Sequence, residues 1–129
     1  MASIFTRIIM GEIPCHKLAE DDRYFAFLDI NPVQKGHALV VPKKEVDQLF
    51  DLDRGTLEGI LVFAKEVARK IKAVVPCERI GISVVGLEVP HAHVHLIPIS
   101  SVSDMDFSRP RVELTQKEFA DLAERIRNA

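Results

Sequence analysis

The sequence predicts an α+β fold: an antiparallel five-stranded sheet with one long helix, a short N-terminal helix and a C-terminal helix. Three observations predict it. Short strand-like apolar runs recur five times, at Cys15 to Ala19, Tyr24 to Leu28, His37 to Val41, Arg79 to Val85 and His91 to Ile97. A single long stretch, Asp53 to Ala73, repeats its apolar residues at helical spacing instead. The strands cluster around that helix rather than alternating with helices, which argues against a parallel sheet. At 129 residues, 47% hydrophobic and 28% charged, the chain suits one domain, 1–129, with residues 100–129 as a C-terminal extension.

Each element has a local cause. Ser3 caps a short helix in which Phe5, Ile8 and Ile9 fall at helical spacing, and Gly11 and Pro14 stop it. The first two strands flank the acidic turn Glu20-Asp21-Asp22, and Asn31-Pro32 and Lys35-Gly36 mark the loop before the third, which Pro42 ends. These three strands read as a meander. In the long helix Leu57, Ile60, Leu61, Ala64, Val67, Ala68 and Ile71 form one stripe, which should lie across a face of the sheet. The last two strands, joined by Gly86-Leu87-Glu88, read as a hairpin. After the polar stretch Ser100 to Pro110, the capping pattern Thr115-Gln116-Lys117-Glu118 opens a terminal helix with Phe119, Leu122, Ala123 and Ile126 on one side. That face must dock, either on its own domain or on a second subunit.

Composition excludes several functions. A net charge of -2 leaves no broad basic footprint for nucleic acid. No apolar run is long enough for a membrane span. Cys15 and Cys77 form no C-x-x-C pair, no signal-like segment stands before them, and a reduced, cytoplasmic setting is expected. Both read as packing residues, and His16 as an exposed side chain. Neither G-x-x-x-x-G-K-[ST] nor G-x-G-x-x-G occurs, so a bound nucleotide would need another phosphate holder.

The candidate chemistry lies in Pro90-His91-Ala92-His93-Val94-His95-Leu96-Ile97-Pro98, where three of five histidines occupy alternate positions. On a strand those imidazoles share one face while Ala92, Val94 and Leu96 take the other. A core strand would not place imidazole there three times, because each buried ring nitrogen needs a partner. Zinc fits poorly: along a strand the outer rings stand roughly 13 Å apart, and a two-histidine site would still need His37 or Glu88. Nucleophilic attack on phosphorus suits the row better, since a covalent phosphoryl-histidine divides one displacement into two. Crowding disfavours a second positive charge and helps keep the attacking ring neutral. No G-x-S-x-G elbow competes with this reading.

The run His91-Ala92-His93-Val94-His95-Leu96-Ile97-Pro98 resembles the H-φ-H-φ-H-φ-φ signature of the histidine triad (HIT) family, φ being apolar. Ile4-Phe5 to Ile8, Gly11-Glu12-Ile13-Pro14, Phe27-Leu28-Asp29-Ile30-Asn31-Pro32 and Gly36-His37-Ala38-Leu39-Val40-Val41-Pro42-Lys43 are similar to the nucleotide-binding-protein branch, in the same order. The resemblance covers about residues 3 to 98. It implies a HIT-like fold, a homodimer whose sheets join across subunits, and a purine nucleotide substrate, with no metal and no cofactor. It implies that His93 is the nucleophile, that His91 orients it, that His95 contacts the phosphate and that His37 supports the row. Asp29 would bind the ribose hydroxyls, though it also suits a strand end before Asn31-Pro32. Phe5, Ile8, Ile13, Phe27, Ile30 and Val89 would form the pocket around the base.

One stretch departs from the family pattern. Ile82-Ser83-Val84-Val85-Gly86-Leu87-Glu88-Val89-Pro90 lacks the usual Asn-x-Gly loop and Gly-Gln pair, and Glu88 falls where a small hydroxyl residue is common. A carboxylate there repels phosphate unless it points away or is paired. The resemblance implies a nucleotide hydrolase or transferase acting at the α-phosphate of purine nucleoside phosphoramidates through a nucleotidyl-histidine. The alternatives are a nucleotide-binding regulatory or scaffold protein with little turnover, and a dinucleoside polyphosphate hydrolase.

Overall fold

In the computed structural model, which describes residues 2–129, Ser3 caps helix α1 (Ile4–Ile9) by accepting a hydrogen bond from the Thr6 amide. The meander follows as β1 (Lys17–Glu20), β2 (Tyr24–Leu28) and β3 (Ala38–Pro42). After helix α2 (Arg54–Val74) come β4 (Arg79–Ser83) and β5 (Val94–Ile99), and β5 inserts between β3 and β4. The result is an antiparallel sheet in the order β1-β2-β3-β5-β4. Helix α3 (Gln116–Arg127) closes the chain.

Period-two alternation sorts the strands into two faces. Tyr24, Ala26, Leu28, Ala38, Val40, Val94 and Leu96 face the helices, where Ile60, Ala64, Val67 and Ile71 of α2 meet them. Each Val, Leu or Ile among them contributes about 1.5–3 kcal/mol on leaving water. Leu61 departs from the expected stripe, remaining 52% exposed at its margin. Asp53 starts α2 by accepting from the Thr56 amide and hydroxyl at 3.2 and 2.7 Å, which holds its carboxyl well below the usual range. Gly36, at φ 91°, makes the sharp approach to β3, and a Cβ there would meet Val75 Cγ2 at 2.9 Å.

Helix α3 docks on its own chain. Phe119, Leu122, Ala123 and Ile126 join the core beside α2, and the capping box between Thr115 and Glu118 forms as expected. His16 is half-buried rather than free: its ring stacks on Phe119 at 5.2 Å and hydrogen-bonds Gln116 Oε1 at 3.1 Å, tying the end of the chain to its start.

The expected hairpin is altered in length. β4 and β5 do pair antiparallel, but β4 stops at Ser83 and β5 begins only at Val94, so residues 84–93 form a long connection instead of a tight turn. The cause lies in the backbone. The His91 amide donates to Val89 O at 2.8 Å and the Ala92 amide to Val46 O at 2.7 Å, so neither extends the ladder. His91 and His93 therefore precede the strand, and only His95 lies on it. No helix among the described residues is long and apolar enough to cross a membrane.

Candidate functional site

The sheet face turned away from α2 and α3 holds Phe25, Phe27, Leu39 and Val41, with Phe5 of α1 packed on them. His95 enters this face through register, since Phe27 pairs with Leu39 and Leu39 with His95. The Asp29 amide donates to His37 O at 3.0 Å, extending the β2–β3 pairing by one residue and bringing Asp29 and His37 to the same face. Alternation thus assembles a carboxylate and two imidazoles from three strand ends.

Hydrogen bonds determine where each ring carries its proton. His91 is wholly buried: Nε2–H donates to Pro42 O at 2.8 Å, leaving Nδ1 to accept the Ser3 hydroxyl at 2.7 Å. Glu45 braces that contact, accepting from the Ser3 amide at 2.7 Å and the Thr6 hydroxyl at 2.6 Å, and these bonds lower its carboxyl pKa. His93 Nδ1–H donates to His91 O at 2.8 Å, so the neutral ring has a bare lone pair on Nε2. His37 Nδ1 accepts the Val33 amide at 3.1 Å, and its Nε2–H donates to His95 Nδ1 at 2.9 Å. His95 is left with Nε2–H unused. No buried side-chain polar atom among the described residues lacks a partner, so the free Nε2 atoms of His93 and His95 are reachable by solvent.

A cleft of about 370 Å³ opens over those atoms, lined in part by Phe5, Asp29, Leu39, Val89, His93 and His95. The rings run in contact: Phe5 meets His93 at 4.9 Å, His93 meets His95 at 5.0 Å, and His95 meets His37 at 5.1 Å between centroids. Burial drives the two inner rings toward neutrality. The pKa of His37 is pushed down to about 4, chiefly by desolvation and against the pull of Asp29. That of His95 is pushed down to about 3 by desolvation, then by His37 and His93. His91 is lowered too, again mainly by burial.

The structure does not bring every sequence candidate to the cleft. Phe5 and Val89 line it, whereas Phe27 sits in the apolar cluster beneath, with Ile8 packed against that cluster. Ile13 is half-buried away from the lining, and Ile30 is 70% exposed on a neighbouring depression. His91 stands behind His93 instead of beside it, and the expected single row of three imidazoles gives way to a bend. Glu88 does reach the lining, on the exposed side.

Sequence reasoning missed Leu39 and Arg111 in the lining, and Phe107 also comes to the cleft, from its own chain. Leu39 shares the parity of His37 and was legible as such; Arg111 lies beyond Ile99, where no periodic pattern signals a site.

Asp29, His37 and His95 offer ligand atoms within 4.8 Å of one another, the geometry of a small cation site. A metal there would have to break the His37–His95 hydrogen bond and compete with the Val33 amide for His37. The two imidazoles already satisfy each other, and Asp29 Oδ1 accepts the Asn31 amide at 2.8 Å.

A family model described as the HIT domain matches residues 10–102. An uncharacterized HIT-like protein of Borreliella burgdorferi is 34% identical over 131 residues, spanning 95% of this chain and 94% of its own. An adenosine 5'-monophosphoramidase of Schizosaccharomyces pombe is 40% identical over 103 residues, 76% of this chain and 74% of its own. Among solved structures, a Hit-like protein of Bartonella henselae, described as involved in cell-cycle regulation, superposes with a TM-score of 0.83 at 30% identity over 98% of this chain and 94% of that one. By its sheet order, its histidine cluster and these matches, the chain belongs to the HIT domain family.

Proposed function

We propose that the protein is a nucleotide hydrolase or transferase that acts at the α-phosphate of purine nucleoside phosphoramidates through a nucleotidyl-His93 intermediate. The observation that carries this reading is the bare Nε2 of His93, aimed into a nucleotide-sized cleft while Nδ1–H is held by His91 O. In the first step Nε2 forms a bond to phosphorus as the bond to the amine breaks, and the amine leaves with a proton from water in the open cleft. The imidazolium so formed keeps its Nδ1–H on the His91 carbonyl, which steadies the positive charge. Water then attacks phosphorus, breaks the P–Nε2 bond and releases the nucleoside monophosphate.

His95 donates its free Nε2–H to a phosphate oxygen, and His37 holds it in that tautomer. His91, locked between Ser3 and Pro42 O, positions the carbonyl that orients His93. Asp29 accepts the ribose hydroxyls, Phe5 and Val89 cover the base, and Phe27 and Ile8 pack in the apolar cluster beneath that pocket. The edge strand β4, with Ile82 exposed on it and Val84 exposed just beyond its end, is the surface through which two copies would join sheets.

Glu88 supports a second reading, nucleotide binding with little turnover, because a carboxylate in the lining opposes an entering phosphate. One experiment separates the two. The protein is incubated with adenosine 5'-phosphoramidate, quenched in base and examined by peptide mass spectrometry. Adenylylated His93 with release of the monophosphate is expected, and His93→Gln should abolish both. Tight nucleotide binding without adduct or product would favour the regulatory reading.

A further inference from the structure

Arg111 is the only lysine or arginine among the residues that line the cleft, which also holds the carboxylates of Asp29 and Glu88. The residue is half-buried, and both hydrogen bonds of its guanidinium go to backbone carbonyls, Nη1 to Asn31 O at 2.9 Å and Nη2 to Phe107 O at 3.3 Å. No carboxylate among the described residues pairs with it, although seven lysine or arginine ion pairs form elsewhere. A guanidinium has five N–H donors, so three remain for a ligand.

The segment that carries Arg111 is built to hold it there. Phe107 sets its ring edge-on against His95 at 5.0 Å, and the Arg111 guanidinium lies 5.5 Å from the centre of that same ring. Asp106 accepts from the Ser108 amide at 2.8 Å, and the Val112 amide donates to Pro32 O at 2.9 Å, fastening the strap on both sides of the pair. An unpaired, pre-placed fork beside a phosphate-binding imidazole is an arrangement suited to a second anion.

We propose that Arg111, backed by Phe107, forms an anion subsite, and that the substrate is a nucleotide bearing a second anionic group besides the phosphate presented to His93. The inference rests on the nucleotide reading given above and narrows its substrate class. Two sources share this chemistry: a further phosphate in the leaving group, or a phosphate on the ribose next to Asp29.

Isothermal titration of the wild-type protein with AMP, ADP, adenosine 3',5'-bisphosphate and adenosine 2',5'-bisphosphate tests it without any variant. At least one doubly anionic ligand should bind about tenfold or more tighter than AMP, and the tight one identifies the source. Arg111→Gln should remove that increment while leaving AMP within about threefold of wild type, and Arg111→Lys should restore part of it. Equal affinity for all four ligands would overturn the inference, as would an increment that survives in Arg111→Gln. In both of those cases AMP still binds and the nucleotide reading stands. Failure of all four to bind would remove that reading and this one with it.

Discussion

Acidification from pH 7 to pH 5 is expected to destabilise the fold through His37 and His95. Both rings are buried, and burial holds their pKa values at about 4 and about 3. In the unfolded chain each returns to about 6.5. Between those limits the unfolded chain takes up protons that the folded chain refuses, so stability falls as the pH drops and levels off only below the folded values. At pH 5 each ring is almost fully protonated when unfolded and largely neutral when folded, a difference of about 2 kcal/mol per ring. Because the two share a hydrogen bond and titrate as a pair, their joint contribution is on the order of 3 kcal/mol. His91, lowered by burial, acts in the same direction. Against a net stability of about 5–15 kcal/mol, such a loss is large.

Carboxylates do not blur this window. Glu45, Asp104 and Glu118 are held low by hydrogen bonds, so their contribution is present above the ordinary carboxylate range and lost only at more acid pH. Urea denaturation at pH 7, 6 and 5, followed by circular dichroism, should show a falling midpoint at constant slope. His37→Gln removes one refusing ring, and its midpoint should depend less steeply on pH. A wild-type midpoint that stays level from pH 7 to pH 5 would mean that the rings are protonated in the folded state. The chain of neutral tautomers that leaves Nε2–H of His95 free would then be wrong.

Three further outcomes follow from local geometry. Gly59→Ala in α2 ordinarily stabilises a helix by about 1 kcal/mol, but here the new methyl meets the Tyr24 hydroxyl and would break its buried hydrogen bond to Thr56 O at 2.8 Å. A net loss of about 1–3 kcal/mol is expected in chemical denaturation, and a gain would show that Tyr24 yields freely. Ser3→Ala deletes both the α1 cap and the hydroxyl on His91, so thermal melting should report a loss of about 1–2 kcal/mol; an unchanged Tm would contradict the bracing assigned to Ser3. Val84→Lys, beside the β4 edge, should shift sedimentation toward the monomer if copies pair there, and an unaltered dimer would place the interface elsewhere.

Periodicity in the chain determined a good part of this protein by itself. The stripe from Ile60 to Ile71, the start of the long helix at Asp53 and the capping pattern opened by Thr115 were all readable, because side-chain direction follows backbone period and a helix start needs an acceptor. The histidine run and its resemblance also pointed to the family before any coordinates did. Tertiary structure decided the rest. His91 turns behind His93 because its neighbour's amide finds Val46 O rather than a ladder partner, and a pairing between segments so far apart leaves no local trace in sequence. Ser3 reaches His91 across 88 positions, and Arg111 reaches the cleft because the strap is pinned to Pro32 O. Local pattern encodes which face a residue takes, whereas the meeting of two remote segments depends on how the whole core packs, and the tautomers, the depressed pKa values and the unpaired guanidinium all arise from such meetings.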